Sequence, residues 1–225
     1  MTKKQLNEAL AAVLFASIAL PAAADTIYSG TVIGSTPASL AGFEAQNLVN
    51  QSGLSTPYVS GVTNFEAYTS TGPTHTGSSF AGGGYFAPAP AFVDIDLGST
   101  LTLTKFALWN DNDFQGVQNF NLLVADNASF SGATSLGSFT ATFGPPFDHA
   151  LPIAIQLFDL TDGAGQFVRV NFVNPHAENN INVGELAFGA VAVGGPIGSV
   201  PEPGSLALLG AALGAFGLSR KRKKT

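Results

Sequence analysis

The side chains with the widest chemical repertoire in this 225-residue chain are three histidines, His75, His149 and His176. Each lies in a stretch rich in aromatic, acidic or amide residues. Phe80, Tyr85 and Phe86 follow His75, Phe147 and Asp148 precede His149, and Glu178, Asn179 and Asn180 follow His176; a fourth stretch supplies Asp111, Asp113 and Phe114. Imidazoles beside carboxylates could hold a hydrolytic metal. That chemistry has a helical register, His-Glu-x-x-His, which does not occur, and neither does the Gly-x-Ser-x-Gly of a serine hydrolase. Paired carboxylates of glycosidase type leave no sequence signature, so a metal-dependent or carboxylate-based hydrolase stays open as an alternative. What the residue types favour is binding without catalysis. Apolar ring faces stack on the C–H faces of sugars while carboxylate and amide edges meet hydroxyls. The ligand-binding candidates are His75, Tyr85, Asp111, Asp113, Phe147, His149, His176 and Asn179. Cysteine is absent, which removes disulfides, thiolate nucleophiles and thiolate metal sites.

These residues can act together only if the elements between them bring them to one place. The body of the chain reads as short alternating runs punctuated by Gly, Pro, Asn and Asp, the pattern of an all-β sandwich or barrel. Strands are expected over 93–97, 101–109, 120–124, 136–143, 153–157, 168–172 and 181–191, with earlier ones near 26–32 and 59–68. Gly98-Ser99 is expected to turn the first into the second. Leu101 and Leu103 share one parity and Phe106 and Leu108 the other, which predicts a bulge near Thr104-Lys105. Trp109 ends an alternating strand and is expected to pack. With antiparallel neighbours, the connections 72–90, 110–116, 144–150 and 174–180 emerge at one end and gather all three histidines there. The run Asp111-Asn112-Asp113-Phe114-Gln115-Gly116 mimics the start of an EF-hand, but its twelfth place is Leu122 and strands flank it, so it reads as an Asx-rich turn.

The ends of the chain differ in kind from its body. Residues 1–24 carry Lys3 and Lys4, an apolar run and Ala22-Ala23-Ala24, a secretory signal peptide with a small-residue cleavage site for signal peptidase. Over residues 25–199, thirteen acids face only Lys105 and Arg169, which leaves a net charge of −11 where the whole chain has −6. An acidic body of this kind does not bind nucleic acid, which needs clustered cations. The chain closes with Val200-Pro201-Glu202-Pro203-Gly204, an apolar run over 205–218 and Arg220-Lys221-Arg222-Lys223-Lys224. The prolines hold Glu202 in an extended peptide. As a helix the apolar run spans only ~21 Å against the ~30 Å of a bilayer core. The cations keep the C-terminus inside and the body outside the inner membrane. The division that follows is a signal peptide over 1–24, a β-sandwich over 25–195, a linker over 196–204, a short transmembrane helix over 205–219 and a basic end over 220–225.

Pro201-Glu202-Pro203, the short Gly/Ala/Leu helix and the Arg/Lys-rich end closely resemble the PEP-CTERM sorting tail. The resemblance implies that an exosortase reads Pro201, Glu202 and Pro203 and cuts near them, so that the chain is a membrane intermediate first and a surface or extracellular protein afterwards. A second resemblance runs from about residue 40 to 191. Asn47-Leu48-Val49-Asn50-Gln51-Ser52-Gly53-Leu54, the stretch FVDIDLGSTLTLTK over 92–105, QFVRVN over 166–171 and Gly184-Glu185-Leu186 are similar to the galactose-binding or discoidin-type jelly roll. It implies a turn at Asp96-Leu97-Gly98, a glycan-binding end and a structural calcium. The matched calcium positions are the 47–53 loop with Asn50, where the family's usual aspartate is replaced, and Glu185. The function expected is that of an exported, exosortase-processed, non-catalytic surface or matrix protein that contacts exopolysaccharide. The competing expectation is a purely structural biofilm component without a specific ligand, whose acidic surface serves solubility and divalent-ion bridging.

Overall fold

The computed structural model describes residues 24–76, 83–142 and 152–193. The signal peptide, the sorting tail with Pro201, Glu202 and Pro203, and Phe147 and His149 lie outside the described residues. Among the described residues no helix is long and apolar enough to cross a membrane. The strands are β1 (Thr26–Tyr28), β2 (Thr31–Ser35), β3 (Thr74–His75), β4 (Tyr85–Pro88), β5 (Ala91–Asn110), β6 (Val117–Ala125), β7 (Thr134–Thr140), β8 (Ile153–Pro175) and β9 (Asn180–Ala192). All pair antiparallel in the order β1-β9-β5-β8-β6-β7, with β2 added on β5, β3 on β8 and β4 on β9.

Two long strands carry the architecture. At about 3.4 Å per residue, the 20 residues of β5 would extend over ~65 Å if straight. Yet Ala91 pairs with Phe172, which also pairs with Phe120, and Asn110 at the other end bonds to Val117, three residues from Phe120. β5 therefore folds back on itself, and β8 folds with it along their shared ladder. One half of the pair lies beside β2 and β6, the other beside β9. The expected turn at Gly98 is corrected in this sense. It does not separate two strands; it is the crease of one, where the register slips between Asp96 and Leu101. Gly98 sits at φ +80° and its N–H donates to Asp96 Oδ1 at 2.7 Å. The runs 153–157 and 168–172 are likewise two halves of β8. The crease in β8 passes through Gly163 and Gly165, where any Cβ would press within 2.7 Å of Leu136, Val124 and Ala125.

The bulge expected at Thr104-Lys105 is present. Both ladders of β5 slip between Leu103 and Lys105, and Leu101, Leu103, Phe106 and Leu108 are all buried. They meet Val93, Ile95, Phe120, Val168, Val170, Phe172 and Phe188 in the main core. A smaller core on the other face of β9 holds Ile27, Tyr58, Phe65, Tyr68, Trp109 and Ile153. Trp109 is fully buried and its Nε1–H donates to Pro73 O. The segment that covers this second core is not the strand expected over 59–68. Val59 and Val62 face solvent in a turn, and Asn64 then caps a short helix, α1 (Phe65–Thr69), by accepting from Ala67 N–H at 2.7 Å. The β-branched run Val59, Val62, Thr63 gave a strand signal, but its valines bury nothing and the Asn64 cap decides.

Candidate functional site: the loop end and its buried polar support

The fold-back of β5 and β8 returns both of their ends to one edge of the molecule, where the connections 111–116 and 176–179 meet. His176 N–H donates to Gly116 O, Ala177 N–H to Phe114 O and Asn182 N–H to Gln115 O. Asn110, 1% exposed, clamps the base of the first loop by exchanging both amide hydrogen bonds with the backbone of Val117, at 2.9 and 2.8 Å. Asp111 accepts from Asn112 N–H and from Asn182 Nδ2, and Asp113 from Phe114 N–H. This is the Asx-rich turn expected of the run, with Gly116 needed because a Cβ there would reach 2.4 Å from Asp111 O. The loop presents Phe114, 38% exposed, with Asn179 and Glu178 exposed and Asp113 and His176 half-buried.

Three of the candidate residues are not on this surface: Asp111 is only 2% exposed, with its carboxylate turned inward to Asn182, and His75 and Tyr85 are buried as well. His75 is 2% exposed; its ring nitrogens lie 2.9 Å from the carbonyl oxygens of Thr76 and Ser52. Burial lowers its pKa, against the pull of those two carbonyls. Gly53 and Gly184 are glycine so that the imidazole fits, since a Cβ at either would come within 2.8 Å of it. Tyr85 is fully buried. Its hydroxyl donates to Thr36 O at 2.6 Å, its ring packs on Phe172, and burial pushes its pKa up to about 12. Both residues brace the loop end from within. His75 and Asp111 line a small space of about 10 Å³ with Thr76, Asn182 and Gly184, room for a single water and not for a sugar.

Glu185 and Asn50 lie behind this end, under the 44–58 segment. Glu185 is fully buried on the second-core face of β9. Its Oε2 accepts from Gln51 N–H at 3.0 Å, while Oε1 is buried without a hydrogen bond. Burial raises its pKa to about 9, opposed by the Gln51 N–H, so the isolated carboxyl is protonated at neutral pH. The neighbouring Tyr58 hydroxyl is also buried, and its pKa is raised first by burial and then by Glu185, against a pull from Ser29. Asn50 is exposed; its Oδ1 accepts from Ser52 N–H at 2.7 Å. Against a calcium ion the fit is thus uneven. Glu185 has one oxygen without a hydrogen bond, whereas the Asn50 oxygen already accepts from Ser52 N–H. Among the described residues no three His, Asp or Glu side chains converge, so a calcium here would draw its remaining oxygens from backbone carbonyls.

Arg169, one of the two cations of the body, is paired. Its guanidinium donates to both oxygens of Asp94 at 2.6 and 2.7 Å. What no sequence signal revealed is that it lies between two rings, 4.8 Å from the centre of Phe92 and 4.5 Å from that of Phe130.

Residues 199–223 match the family model of the PEP-CTERM protein-sorting motif; the chain carries that sorting motif at its C-terminus. No curated protein matches the sequence. Among solved structures, the chain is similar to the C-terminal domain of a chitobiase from Bacteroides fragilis, at 11% identity and TM-score 0.47, over 72% of this chain and 94% of that one. It is also similar to the module CBM32-3 from a family 31 glycoside hydrolase of Clostridium perfringens, at 9% identity and TM-score 0.47, over 72% and 90%. A third is the family 32 carbohydrate-binding module of Streptococcus pneumoniae EndoD, at 14% identity and TM-score 0.45, over 75% and 99%. The all-β fold of this chain rests on its own strand pairing.

Proposed function

We propose that the chain is an exported surface or extracellular protein, released from the inner membrane by an exosortase, whose β-body binds polysaccharide at the loop end and does no chemistry on it. The observation that carries this reading is the placement of the loop end relative to the tail. Ala192, where β9 runs toward the sorting motif, pairs with Leu101, whereas Val183, close to the loops, pairs with Asn110. Nine residues of strand at about 3.4 Å each separate them by ~30 Å. Thr26, next to the expected signal-peptidase cut, pairs with Ala190 at the same edge as the tail. The twelve residue steps from Val193 to the expected helix start at 205 reach at most ~43 Å, so a membrane-held tail tethers this edge of the body and leaves Asp113, Phe114, His176 and Asn179 at the far end of β9 from the tether. Phe147 and His149 join the proposal from the sequence alone. A structural calcium on Glu185 belongs to the same proposal and would fix the 44–58 segment over the second core.

A purely structural matrix role is favoured by a different observation, the net charge of −11 over residues 25–199, which suits divalent-ion bridging between chains. Binding of the full chain to a glycan array separates the two. The carbohydrate reading predicts a signal that falls tenfold or more in Phe114→Ala, Phe147→Ala and His149→Ala. Retained binding in all three removes the loop end as the site, and a blank array for the unsubstituted chain favours the matrix role.

A further inference from the structure

Beside the loop end, where β5 begins and β8 runs into the 176–179 connection, the outer face of the sheet carries a hollow of about 260 Å³ lined by Pro90, Ala91, Phe92, Asn171, Phe172 and Val173. We propose that this hollow and the amides beside it form a second binding site, for a stretch of neutral glycan chain. The inference rests on the reading of the body as a glycan binder and adds the sheet surface next to the loops.

Its walls have the two halves a sugar needs. Phe92, Pro90 and the exposed Val173 give apolar surface for a ring's C–H face. Asn171 gives a polar edge, and one strand further on so does Asn121. Asn171 Nδ2 donates to Asn121 Oδ1 at 2.8 Å. That bond orients both amides and leaves the Asn171 oxygen as an acceptor and the Asn121 nitrogen as a donor. An acceptor and a donor side by side suit the hydroxyls of a sugar. The next row is a closed network, Asn119 to Asn174, Asn174 to Gln118 and Thr140 to Asn119, which braces the strip.

The aromatic wall is held in place by more than packing. Arg169, fixed by Asp94, lies against the Phe92 ring, and Phe130 closes on the guanidinium from the 126–133 connection. To do so Phe130 takes φ +56°, a left-handed conformation that a bulky residue seldom adopts. Asn127 holds the loop there, accepting from Ser131 N–H at its side chain and from Phe130 N–H at its carbonyl. A backbone held in this way for one ring contact fits a site whose first wall must not move. The charges nearest the hollow cancel, and the body at −11 repels anionic polymers. The ligand class is therefore a neutral chain and not a uronate.

Isothermal titration of the full chain in detergent with cellotetraose, with chitotetraose and with a mannuronate tetramer tests this. The expected isotherm for a neutral tetramer has two sites per chain. Asn171→Ala and, separately, Asn121→Ala each remove one of them with an unchanged melting temperature, while Phe114→Ala removes the other. A single site that survives both amide variants and disappears in Phe114→Ala overturns the sheet site and leaves the loop-end reading intact. A single site lost in the amide variants and kept in Phe114→Ala supports the sheet site and overturns the loop end. Heat with the mannuronate tetramer alone, or with none of the three, overturns the neutral-chain assignment.

Discussion

Glu185 offers the sharpest quantitative consequence of the fold. Its carboxyl is sealed in the second core with one oxygen unbonded, and burial raises its pKa from 4.5 to about 9. At any pH between those values the folded chain holds a proton that the unfolded chain has released. The stability this group contributes is therefore fully present below 4.5 and is lost as pH rises toward 9. The slope is about 1.4 kcal/mol per pH unit, or ~4 kcal/mol between pH 5 and 8. Glu185→Gln keeps the shape and removes the titration. Measured in chelator, so that no cation holds the carboxylate ionised, the variant should gain ~4 kcal/mol on the unsubstituted chain across that range, whatever fixed offset the buried amide brings. For a domain of this size that is a relative shift in melting temperature of roughly 8–16 °C. His75 and His176 slope the other way, because burial lowers their pKa and folding is favoured as pH rises through the ordinary histidine range. They are common to both proteins and drop out of the difference. Parallel melting-temperature curves for the two proteins from pH 5 to 8 would refute the argument, since they would mean that Glu185 is ionised in the fold.

Calcium reverses this balance. If the ion takes the Glu185 carboxylate, excess Ca²⁺ raises the melting temperature by mass action, more at pH 8 than at pH 6, and Glu185→Ala abolishes the rise; a melting curve indifferent to Ca²⁺ removes the metal from the account. Arg169→Met strips the charge from a partly exposed pair but leaves Asp94, 7% exposed, without its partner, and should cost about 1–3 kcal/mol by urea denaturation. A change within a few tenths of a kcal/mol would show that the Asp94 carboxylate finds water instead.

The parity switch in β5 was readable because a bulge moves hydrophobic side chains from odd to even positions, and Leu103 and Phe106 bracket it. The crease at Gly98 was not, because a glycine at positive φ serves a hairpin turn and a folded strand equally, and only the continuous ladder to β8 tells them apart. Grouping 110–116 with 174–180 succeeded because the crease in each long strand reverses direction as a turn would have done. Tyr85 misled because an aromatic beside a histidine-bearing loop resembles a binding residue, although its spacing from the small, buried Ala87 marks it as inward-facing. Glu185 carries a similar signal in its parity with Ala187, an acid on a buried face. The Phe130 contact had no local signature at all; it depends on a loop conformation fixed by Asn127 and on a strand 39 residues further along the chain, at Arg169.

The account as a whole depends on delivery of this body across the membrane by its two ends. Mass spectrometry of the native protein tests it in a single spectrum. The predicted product is recovered outside the inner membrane, begins at Asp25 and ends near Pro201-Glu202-Pro203. A chain recovered from the cytosol with Met1 and Thr225 both intact would contradict it.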